Sequence, residues 1–263
     1  MKMEDEEYAE EYEDEMEDTA EVEKPDPEGM RMNRYLAVCG VGSRRSVEDV
    51  IRAGRVTLNG EPAVDLGRRV VEGDEVCVDG KVVRPPRNYT IIVFNKPPGC
   101  ISTRKDPQGR ETVYDWLPQG YAQLRTVGRL DLQSRGLLLF TDDGDLAFRL
   151  THPSYEIPRT YNVWTDRPIG PEGRKMLLDG FDIGDGEVAI AKRVKIDDEK
   201  AEITLMEGKN REIRRMMEGI GRRVRDLKRL SFGPIDLGPL ASGEFRELSP
   251  AETQALYECV KLA

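Results

Sequence analysis

The segment Gly136–Phe140, which reads GLLLF, is the most apolar run of this 263-residue chain and limits how the chain can fold. A run of this length and composition predicts a strand that enters a hydrophobic core. Arg129 and Asp131 stand directly before it, in the segment GRLDLQSRG. Charged side chains at the edge of a core are usually paired with an opposite charge or belong to a functional site, so Arg129 and Asp131 are the first candidates for function.

The charge of the chain is concentrated at its start. Residues 1–28 contain 15 acidic and 2 basic side chains, which leaves 50 − 15 = 35 acidic and 40 − 2 = 38 basic residues, a net charge of +3 for the rest. The low apolar content and self-repulsion of this segment predict a disordered acidic tail over residues 1–29. A solubilising role is favoured, and the alternative is a mimic of nucleic-acid charge that screens the basic body.

Cysteine and histidine usage argues against metal chemistry. The cysteines form no C-x-x-C pair, and His152 is the single histidine, so we expect neither a metal site nor a cofactor. No apolar run has membrane-spanning length, and the acidic start is unlike a signal peptide. These features predict a soluble protein of the reducing cytoplasm, whose chemistry depends on Asp, Glu, Lys, Arg, Tyr and Ser. The four cysteines are Cys39, Cys77, Cys100 and Cys259.

Residues 30–86 have the pattern of a small unit of two helices followed by strands. MRMNRYLAVCG predicts a short helix, and SRRSVEDVIRAG predicts a second one that Ser43 caps and Gly54 ends. The strands that follow turn at Asn59-Gly60 and at Asp79-Gly80, dipeptides that tight hairpins require. A Pro-Pro pair then forms a stiff joint.

Arginine is crowded into the two helices of this unit. Arg44 and Arg45 occupy the first turn of the second helix, where free N–H groups attract phosphate. Arginine there opposes the helix dipole, so RNA contact is favoured over a merely solvated basic face. The residues that we expect to bind RNA are Arg34, Arg44, Arg45 and Arg55.

The motifs of this unit resemble the S4-type (alpha-L) RNA-binding module of ribosomal proteins. The resemblance rests on the SRR helix start, on R-A-G-R-V-x-L-N-G and on G-D-x-V-x-V-D-G-K. It covers nearly the whole unit and implies RNA binding, without identifying which RNA.

Residues 87–263 have the pattern of a separate α+β domain. Strands such as IIVFNK, LLLF and RTYNVWT outnumber the helices, and hairpins join many of them, which predicts a mixed, mostly antiparallel sheet. Helices are expected at RETVYDWLP, GDLAFRLTHP, PEGRKMLLDG and NREIRRMMEGIG, the second of them capped by Thr141 or Asp142.

Asp131 has no ordinary local role in this pattern. Asp142, Asp143 and Asp145 lie in the turn after the apolar strand, where capping is common. Asp131 lies against the apolar run instead, which predicts partial desolvation that a nearby cation must offset. Arg129 is one such cation, and an Asp–Arg pair at about 4 Å is worth about 4 kcal/mol before desolvation is subtracted. The basic helix NREIRRMME offers three more, Arg211, Arg214 and Arg215.

The motifs G-R-L-D-x-x-S-x-G-L-L-L-x-T-D-D-G, T-H-P-S, R-T-Y-x-V and E-G-x-x-R-E-I-R-R-M occur here in order. Together with N-K-P-P-G and G-P-I-D-L-G-P-L, they resemble the rRNA pseudouridine synthases of the RsuA/RluB group over about residues 30 to 250. The resemblance implies a synthase domain that follows the RNA-binding module.

The resemblance also implies roles for individual residues. The aspartate of its R-L-D motif is Asp131, the catalytic carboxylate, and the tyrosine that lies against the target base is Tyr161. Arg214 is the arginine that pairs with the aspartate, and Ile213 belongs to the apolar wall beside it. Arg129 would position backbone or phosphate. Two positions depart from the usual pattern: Arg159, where lysine is usual, and Arg135, to which no role is assigned.

The implied reaction detaches uracil from its ribose, rotates it and rejoins it through carbon, without oxidation or hydrolysis. Asp131 either attacks the sugar or the ring, or removes the ribose 2′ proton, and the sequence leaves these routes open. Its carboxylate must be ionised in a water-poor site. Extruding the base costs a few kcal/mol, and stacking on Tyr161 returns roughly 1–3 kcal/mol.

Basic residues would supply the remaining affinity through phosphate contacts, whereas His152 is interpreted as a structural loop residue. The candidates in the second domain are Lys209, Arg211, Arg215, Arg222 and Arg223.

Three functions compete on this sequence. A synthase acting on large-subunit rRNA, free or in a pre-ribosomal particle, is preferred, with small-subunit rRNA as the alternative. A non-catalytic assembly factor would lack the aspartate, tyrosine or arginine of the motifs, and all three are present. A hydrolase that pairs Asp131 with Asp142 or Asp143 is disfavoured, because a whole strand separates them, roughly 30 Å when extended. We expect the protein to act as a monomer.

Overall fold

The computed structural model describes residues 29–71, 73–85 and 89–262. The acidic tail predicted for residues 1–29 therefore falls almost entirely outside the described residues. The chain divides into two compact units. The first runs up to Tyr89 and includes Asp143–Asp145, and the second comprises Thr90–Asp142 and the chain from Leu146 onward.

The first unit packs two short helices against small strands. Helix α1 covers Met32–Val38 and helix α2 covers Arg44–Arg52, where the Ser43 side chain accepts a hydrogen bond from the Ser46 N–H at 3.1 Å, as its capping role predicts. The first helix begins two residues later than the sequence pattern predicts, because Met30 and Arg31 form a strand instead. The strands are Met30–Arg31 (β1), Val56–Leu58 (β2), Glu61–Pro62 (β3), Arg69–Val70 (β4), Val76–Val78 (β5) and Lys81–Val83 (β6).

Both predicted hairpins of this unit are present. Strands β2 and β3 are joined by Asn59 and Gly60, with φ of 54° and 86°, and β5 and β6 by Asp79 and Gly80, with φ of 50° and 75°. Positive φ at both central residues is the geometry of the turn that these dipeptides favour. The unit has its own buried core, lined by Met32, Leu36, Val47, Ile51, Val56, Leu58, Ala63, Val70 and Val76.

The second unit is built on a nine-stranded sheet, with strand order β13-β14-β10-β15-β9-β7-β17 and two further strands at its side, β8 beside β9 and β16 beside β15. Every pairing in it is antiparallel except that of β9 with β15, so the prediction of a mixed, mostly antiparallel sheet is confirmed. Its strands are Ile91–Lys96 (β7), Arg125–Val127 (β8), Arg135–Thr141 (β9), Arg159–Thr165 (β10), Arg193–Asp197 (β13), Lys200–Leu205 (β14), Val224–Phe232 (β15), Ile235–Asp236 (β16) and Phe245–Glu247 (β17). A separate small hairpin pairs Phe181–Asp182 (β11) with Val188–Ala189 (β12).

Four helices accompany the sheet: Gly144–Thr151 (α3), Pro171–Asp179 (α4), Glu212–Gly219 (α5) and Pro250–Cys259 (α6). The carboxylate of Asp143, rather than Thr141 or Asp142, accepts the first-turn hydrogen bond of α3, from the Asp145 N–H at 2.9 Å. Asp142 accepts from the Thr90 N–H at 2.8 Å instead. The segment RETVYDWLP forms only a single 3-10 turn over Val113–Trp116.

The central strands β7 and β9 are buried on both faces, because cores lie on both sides of the sheet. One core includes Leu177 of α4 and Met216 of α5, and the other includes Leu146 of α3 and Leu256 of α6. Successive strand residues point to opposite faces, so the apolar run alternates between the two cores. Ile92, Phe94, Leu138 and Phe140 enter the first core, and Ile91, Val93, Leu137 and Leu139 enter the second.

Candidate active site

Asp131 lies in the short connection between β8 and β9, and hydrogen bonds fix the backbone of that connection. The Ser134 N–H donates to the Asp131 carbonyl at 3.0 Å, and the Gly99 N–H donates to the Leu132 carbonyl at 2.8 Å. The Ser102 hydroxyl donates to the Leu130 carbonyl at 2.9 Å and accepts from the Leu130 N–H at 3.2 Å. The residues on either side of Asp131 are thus held by the segment that follows β7.

Lys96, the last residue of β7, is fully buried beneath this connection. Its ammonium group donates to the carbonyls of Ser134 at 2.9 Å, Asp131 at 3.2 Å and Leu132 at 3.3 Å, and to its neighbour Pro97 at 3.1 Å. Burial lowers the pKa of Lys96 to about 8, against the weaker effects of Cys100 and Asp131, which raise it. A protonated lysine therefore ties the Asp131 connection to the core strand.

Arg214 provides the cation that faces Asp131. Its Nε lies 3.4 Å from the Asp131 carboxylate without forming a hydrogen bond, and one terminal nitrogen donates to the Ser134 hydroxyl at 3.3 Å. The Ser134 hydroxyl in turn lies 3.5 Å from the same carboxylate oxygen. The Asp131 side chain is 34% exposed, so the site is more accessible to water than the sequence predicted. Solvent screening therefore makes the Asp131–Arg214 interaction energy much smaller than that of a desolvated ion pair.

Tyr161 and Ile213 belong to the same buried cluster as Leu130, the residue before Asp131. Tyr161 lies on β10 and is 8% exposed, and Ile213 lies in the first turn of α5. Strand β15 lies between β10 and β9, and Arg229 of β15 pairs in register with both Tyr161 and Gly136. Asp131 and Arg214, which are far apart in sequence, therefore meet in the second unit, and Tyr161 and Ile213 belong to the cluster that also contains Leu130.

The close approach of β9 to β15 depends on Gly136. A Cβ at this position would lie 2.3 Å from the Arg229 carbonyl oxygen, and its φ is +103°. Only glycine fits such a contact at this backbone conformation. The apolar strand that follows the Asp131 connection can thus pair with the strand that lies against Tyr161.

The arginines expected to contact RNA in this unit differ in their surroundings. Arg129 and Arg211 are exposed, and Arg211 adopts a left-handed conformation, with φ of 48°, directly before α5. Arg215, in contrast, donates to the carbonyls of Ile183 at 3.1 Å and Gly184 at 2.7 Å and pairs with Glu187. Arg215 thus braces the β11–β12 hairpin, and its role in phosphate binding stays a prediction.

Two further phosphate candidates also have internal partners. Lys209 donates to the Val188 carbonyl and pairs with Glu207, and Arg222 donates to the Pro168 carbonyl at 2.8 Å. Both side chains are therefore used to brace loops of the domain.

In the first unit, Arg55 forms a two-point ion pair with Asp79. The partner raises the pKa of Arg55 through a hydrogen bond and its charge. The guanidinium fork of Arg55 thus holds a carboxylate next to the β5–β6 hairpin turn, and its role in RNA binding stays a prediction. Arg45 is exposed in the first turn of α2, and Arg34 and Arg44 are partly buried.

Arg135 has a structural role in the second unit. Its guanidinium holds both oxygens of Asp226 on β15, at 3.0 Å from Nε, and lies 5.3 Å from the ring centre of Trp164. His152 also has a local role, because its Nδ1 accepts from the Ser154 N–H at 3.2 Å and its ring stacks on Phe148.

Two features of the described residues bear on other classes of function. No group of three or more His, Cys, Asp or Glu side chains there is arranged to hold a metal ion. No helix among those residues is both long and apolar enough to cross a bilayer.

Sequence reasoning missed Lys96, Ser102 and Ser134, which hold the Asp131 connection in place. A signal for Lys96 was present, because a lysine that ends the otherwise apolar strand IIVFNK must find partners inside the protein. Ser102 carried no such signal, because its partner Leu130 comes from a distant position in the chain.

Two family models match the chain. The RNA pseudouridylate synthase model matches residues 90–219, and the S4 domain model matches residues 30–76. Among solved structures, the chain is similar to one described as a pseudouridylate synthase, with a TM-score of 0.64 and 27% identity over 87% of this chain and 100% of that one.

Curated relatives named ribosomal large subunit pseudouridine synthase B are similar over most of the chain. The Pseudomonas aeruginosa protein is 41% identical over 90% of this chain, which spans 64% of that protein. The Bacillus subtilis protein is 38% identical over 86% of this chain and 95% of its own length. The Escherichia coli K12 protein is 39% identical over 88% of this chain and 84% of its own length. The chain therefore belongs to the RNA pseudouridylate synthase family and carries an S4 domain ahead of its synthase domain.

Proposed function

We propose that this protein converts a specific uridine of large-subunit ribosomal RNA into pseudouridine, with Asp131 as the catalytic carboxylate. The observation that carries the proposal is the ion pair of Asp131 with Arg214, in which the Arg214 Nε lies 3.4 Å from the carboxylate. Leu130, the residue before Asp131, belongs to the same buried cluster as Tyr161. The choice of large-subunit over small-subunit rRNA is supported by the names of the relatives in three bacteria. A non-catalytic assembly factor would have no need of this arrangement.

The geometry suits the chemistry of the isomerisation. The bond from the uracil nitrogen to the ribose breaks, a carbon–carbon bond forms, and the ring carbon loses the proton that the ring nitrogen gains. The Arg214 guanidinium faces the Asp131 carboxylate at 3.4 Å, and the Ser134 hydroxyl, 3.5 Å from the carboxylate, helps to orient it. Lys96 fixes the backbone that carries the carboxylate, which limits its motion relative to a bound ribose.

Tyr161 and Ile213 provide the apolar side of the site. A uracil extruded from RNA can stack on the tyrosine ring, which returns roughly 1–3 kcal/mol of the unstacking cost. Arg129 and Arg211 are exposed and basic, which suits contact with the phosphates on either side of the target. The S4 domain, matched over residues 30–76, supplies further RNA contacts through Arg34, Arg44 and Arg45.

We further propose that the domain boundaries lie near residues 30, 86 and 263, and that the protein acts as a cytoplasmic monomer on rRNA or on a pre-ribosomal particle. The division of the chain at Tyr89 supports the boundary between the domains. The acidic tail is proposed to keep the protein soluble.

The test is the Asp131→Asn variant, which preserves size and removes the charge. We expect pseudouridine formation on rRNA to fall by at least about 10²-fold while RNA affinity is retained, because the lost group acts on the reacting atoms. Asp142→Asn is the matched control, since Asp142 accepts the Thr90 N–H, which an amide oxygen also accepts. Pseudouridine mapping by reverse transcription supplies the readout, and an active Asp131→Asn protein would refute the assignment.

A further inference from the structure

Three charged side chains lie buried behind the candidate active site. Arg159, Glu212 and Arg229 are 6%, 4% and 2% exposed, and we name them the buried charge cluster. Buried charges oppose folding unless they are paired, so a set of three calls for an explanation beyond stability. Their elements are the strand that carries Tyr161, the helix that carries Arg214, and the strand between Tyr161 and Gly136.

Arg159 links Tyr161 to the rest of the domain. It precedes Tyr161 by two residues on β10, and both side chains are buried, with a shift in the β10–β15 register between Thr160 and Tyr161. One terminal nitrogen of Arg159 donates to the Leu150 carbonyl at 3.0 Å, and the guanidinium carbon lies 4.8 Å from the ring centre of Phe232. A Cβ on Gly208 would lie 3.4 Å from the guanidinium, an ordinary van der Waals contact, so the loop before α5 lies directly beside Arg159.

Glu212 occupies the start of that helix, directly before Ile213 and Arg214. One carboxylate oxygen accepts from the Lys209 N–H at 3.1 Å, and the Glu212 N–H donates to the Lys209 carbonyl at 3.2 Å, which closes the loop. The other oxygen is buried and accepts no hydrogen bond from any described residue. A buried oxygen left in this state depends on electrostatic attraction for its stability.

Arg229, the third member of the buried charge cluster, also acts on Arg159 through its charge. The Arg229 Nε donates to the Leu137 carbonyl at 2.7 Å, and its guanidinium lies 5.1 Å from the same Phe232 ring. The two arginines repel each other, while Glu212 attracts Arg159. Arg159 is therefore repelled by the cation on β15 and attracted by the carboxylate on α5, and its guanidinium lies beside Gly208 in the loop that leads to α5.

We propose that Arg159 and Glu212 are positioning residues, which hold the strand of Tyr161 to the start of the Arg214 helix and so fix both groups for catalysis. The proposal rests on the roles given above to Asp131, Tyr161 and Arg214. Neither Arg159 nor Glu212 touches the substrate. Their effect on turnover passes through the tyrosine ring and the arginine that faces Asp131.

Protonation of Glu212 modulates this attraction. Burial first and Glu207 second raise the pKa of Glu212 to about 7, against the lowering effects of the Lys209 N–H, the Lys209 charge and Arg159. The facing charged groups are thus Glu207 and Lys209 in the loop, Arg159 on β10 and, behind it, Arg229 on β15. The attraction between Glu212 and Arg159 is present above pH 7 and is lost as the pH falls below it.

The experiment measures kcat and KM for the full chain on rRNA with Arg159→Met, Arg159→Lys, Glu212→Gln and the Met/Gln double variant at pH 8. We expect Arg159→Met to lower kcat by about 10- to 100-fold with KM nearly unchanged, because misplaced groups slow the chemical step. Arg159→Lys should restore most of the rate. The double variant should be no slower than Arg159→Met, because the two residues act through each other.

Glu212→Gln separates positioning from stability. At pH 8, Glu212→Gln removes a buried charge and should therefore raise the melting temperature. The same variant should have a lower kcat than the wild type at pH 8, close to the kcat of the wild type at pH 6. Between pH 6 and pH 8 the wild type should gain more activity than Glu212→Gln does. Glu218→Gln, an exposed change on the same helix, and Leu256→Ala, a destabilising change in the other core, are controls that should leave kcat unchanged.

Three outcomes would overturn the proposal. The first is a kcat of Glu212→Gln equal to that of the wild type at pH 8, and the second is a loss of kcat in the double variant that equals the combined losses of the two single variants. The third is a fall in the kcat of Leu256→Ala in proportion to its loss of stability. If Arg159→Met fails to fold, Arg159→Lys and Glu212→Gln still decide. Failure of the proposed function looks different, because Asp131→Asn would then remain active or the wild type would form no pseudouridine.

Discussion

Among single residues, Glu212 links pH to the stability of the fold. Its pKa is raised to about 7 in the folded chain from an ordinary 4.5, chiefly by desolvation and then by Glu207. Between these values the folded chain binds more protons than the unfolded chain, so the free energy of unfolding falls as the pH rises from 4.5 to 7. Above pH 7 this contribution is constant.

Glu212→Gln removes this dependence. We expect the variant to be up to about 3 kcal/mol more stable than the wild type at pH 8, and nearly equal to it at pH 4.5, because each pKa unit corresponds to about 1.4 kcal/mol. Urea unfolding at the two pH values measures the difference. A gain of the same size at both pH values would show that the effect comes from packing rather than from charge. Glu218→Gln serves as the exposed control.

At the scale of elements, the pairing of β9 with β15 depends on one glycine. In Gly136→Ala, the new methyl group would approach the Arg229 carbonyl oxygen to 2.3 Å at a φ of +103°. We expect a loss of at least about 2 kcal/mol in the free energy of unfolding, from backbone strain and overpacking. The comparison is Gly109→Ala, which has φ of +70° but open space around its Cβ. Equal losses in the two variants would contradict a steric role for the β9–β15 contact.

At the scale of the whole molecule, the first unit is proposed to bind RNA only, whereas the second unit is proposed to carry the chemistry as well as RNA contacts at Arg129 and Arg211. Arg45→Gln changes an exposed side chain on α2, in the unit that contains no part of the Asp131 site. We expect it to weaken rRNA binding and to reduce the slope of log affinity against log salt by about 0.7 to 0.9, with kcat unchanged, because one phosphate contact is lost. Filter binding at several salt concentrations measures the slope. A lower kcat with unchanged affinity would contradict this division of roles.

Local sequence was enough for the features that depend on neighbouring residues. The hairpins at Asn59-Gly60 and Asp79-Gly80 follow from the positive φ that these residues tolerate, and the Ser43 cap follows from a free N–H that a hydroxyl can satisfy. The apolar run from Gly136 to Phe140 determined a buried strand, since no other placement hides five such residues. The order of motifs along the chain also indicated the family, which the comparisons confirm.

Tertiary structure alone decided which charges meet. Arg215 and Arg55 look like RNA-binding arginines in sequence, yet one braces a hairpin and the other holds Asp79, because strands and loops distant in sequence bring them acceptors. Lys96 and Glu212 gained their surroundings in the same way, one from the carbonyls before β9 and the other from a loop beside β10. Electrostatic energy depends on distance and burial in three dimensions, and neither quantity is fixed by spacing along the chain.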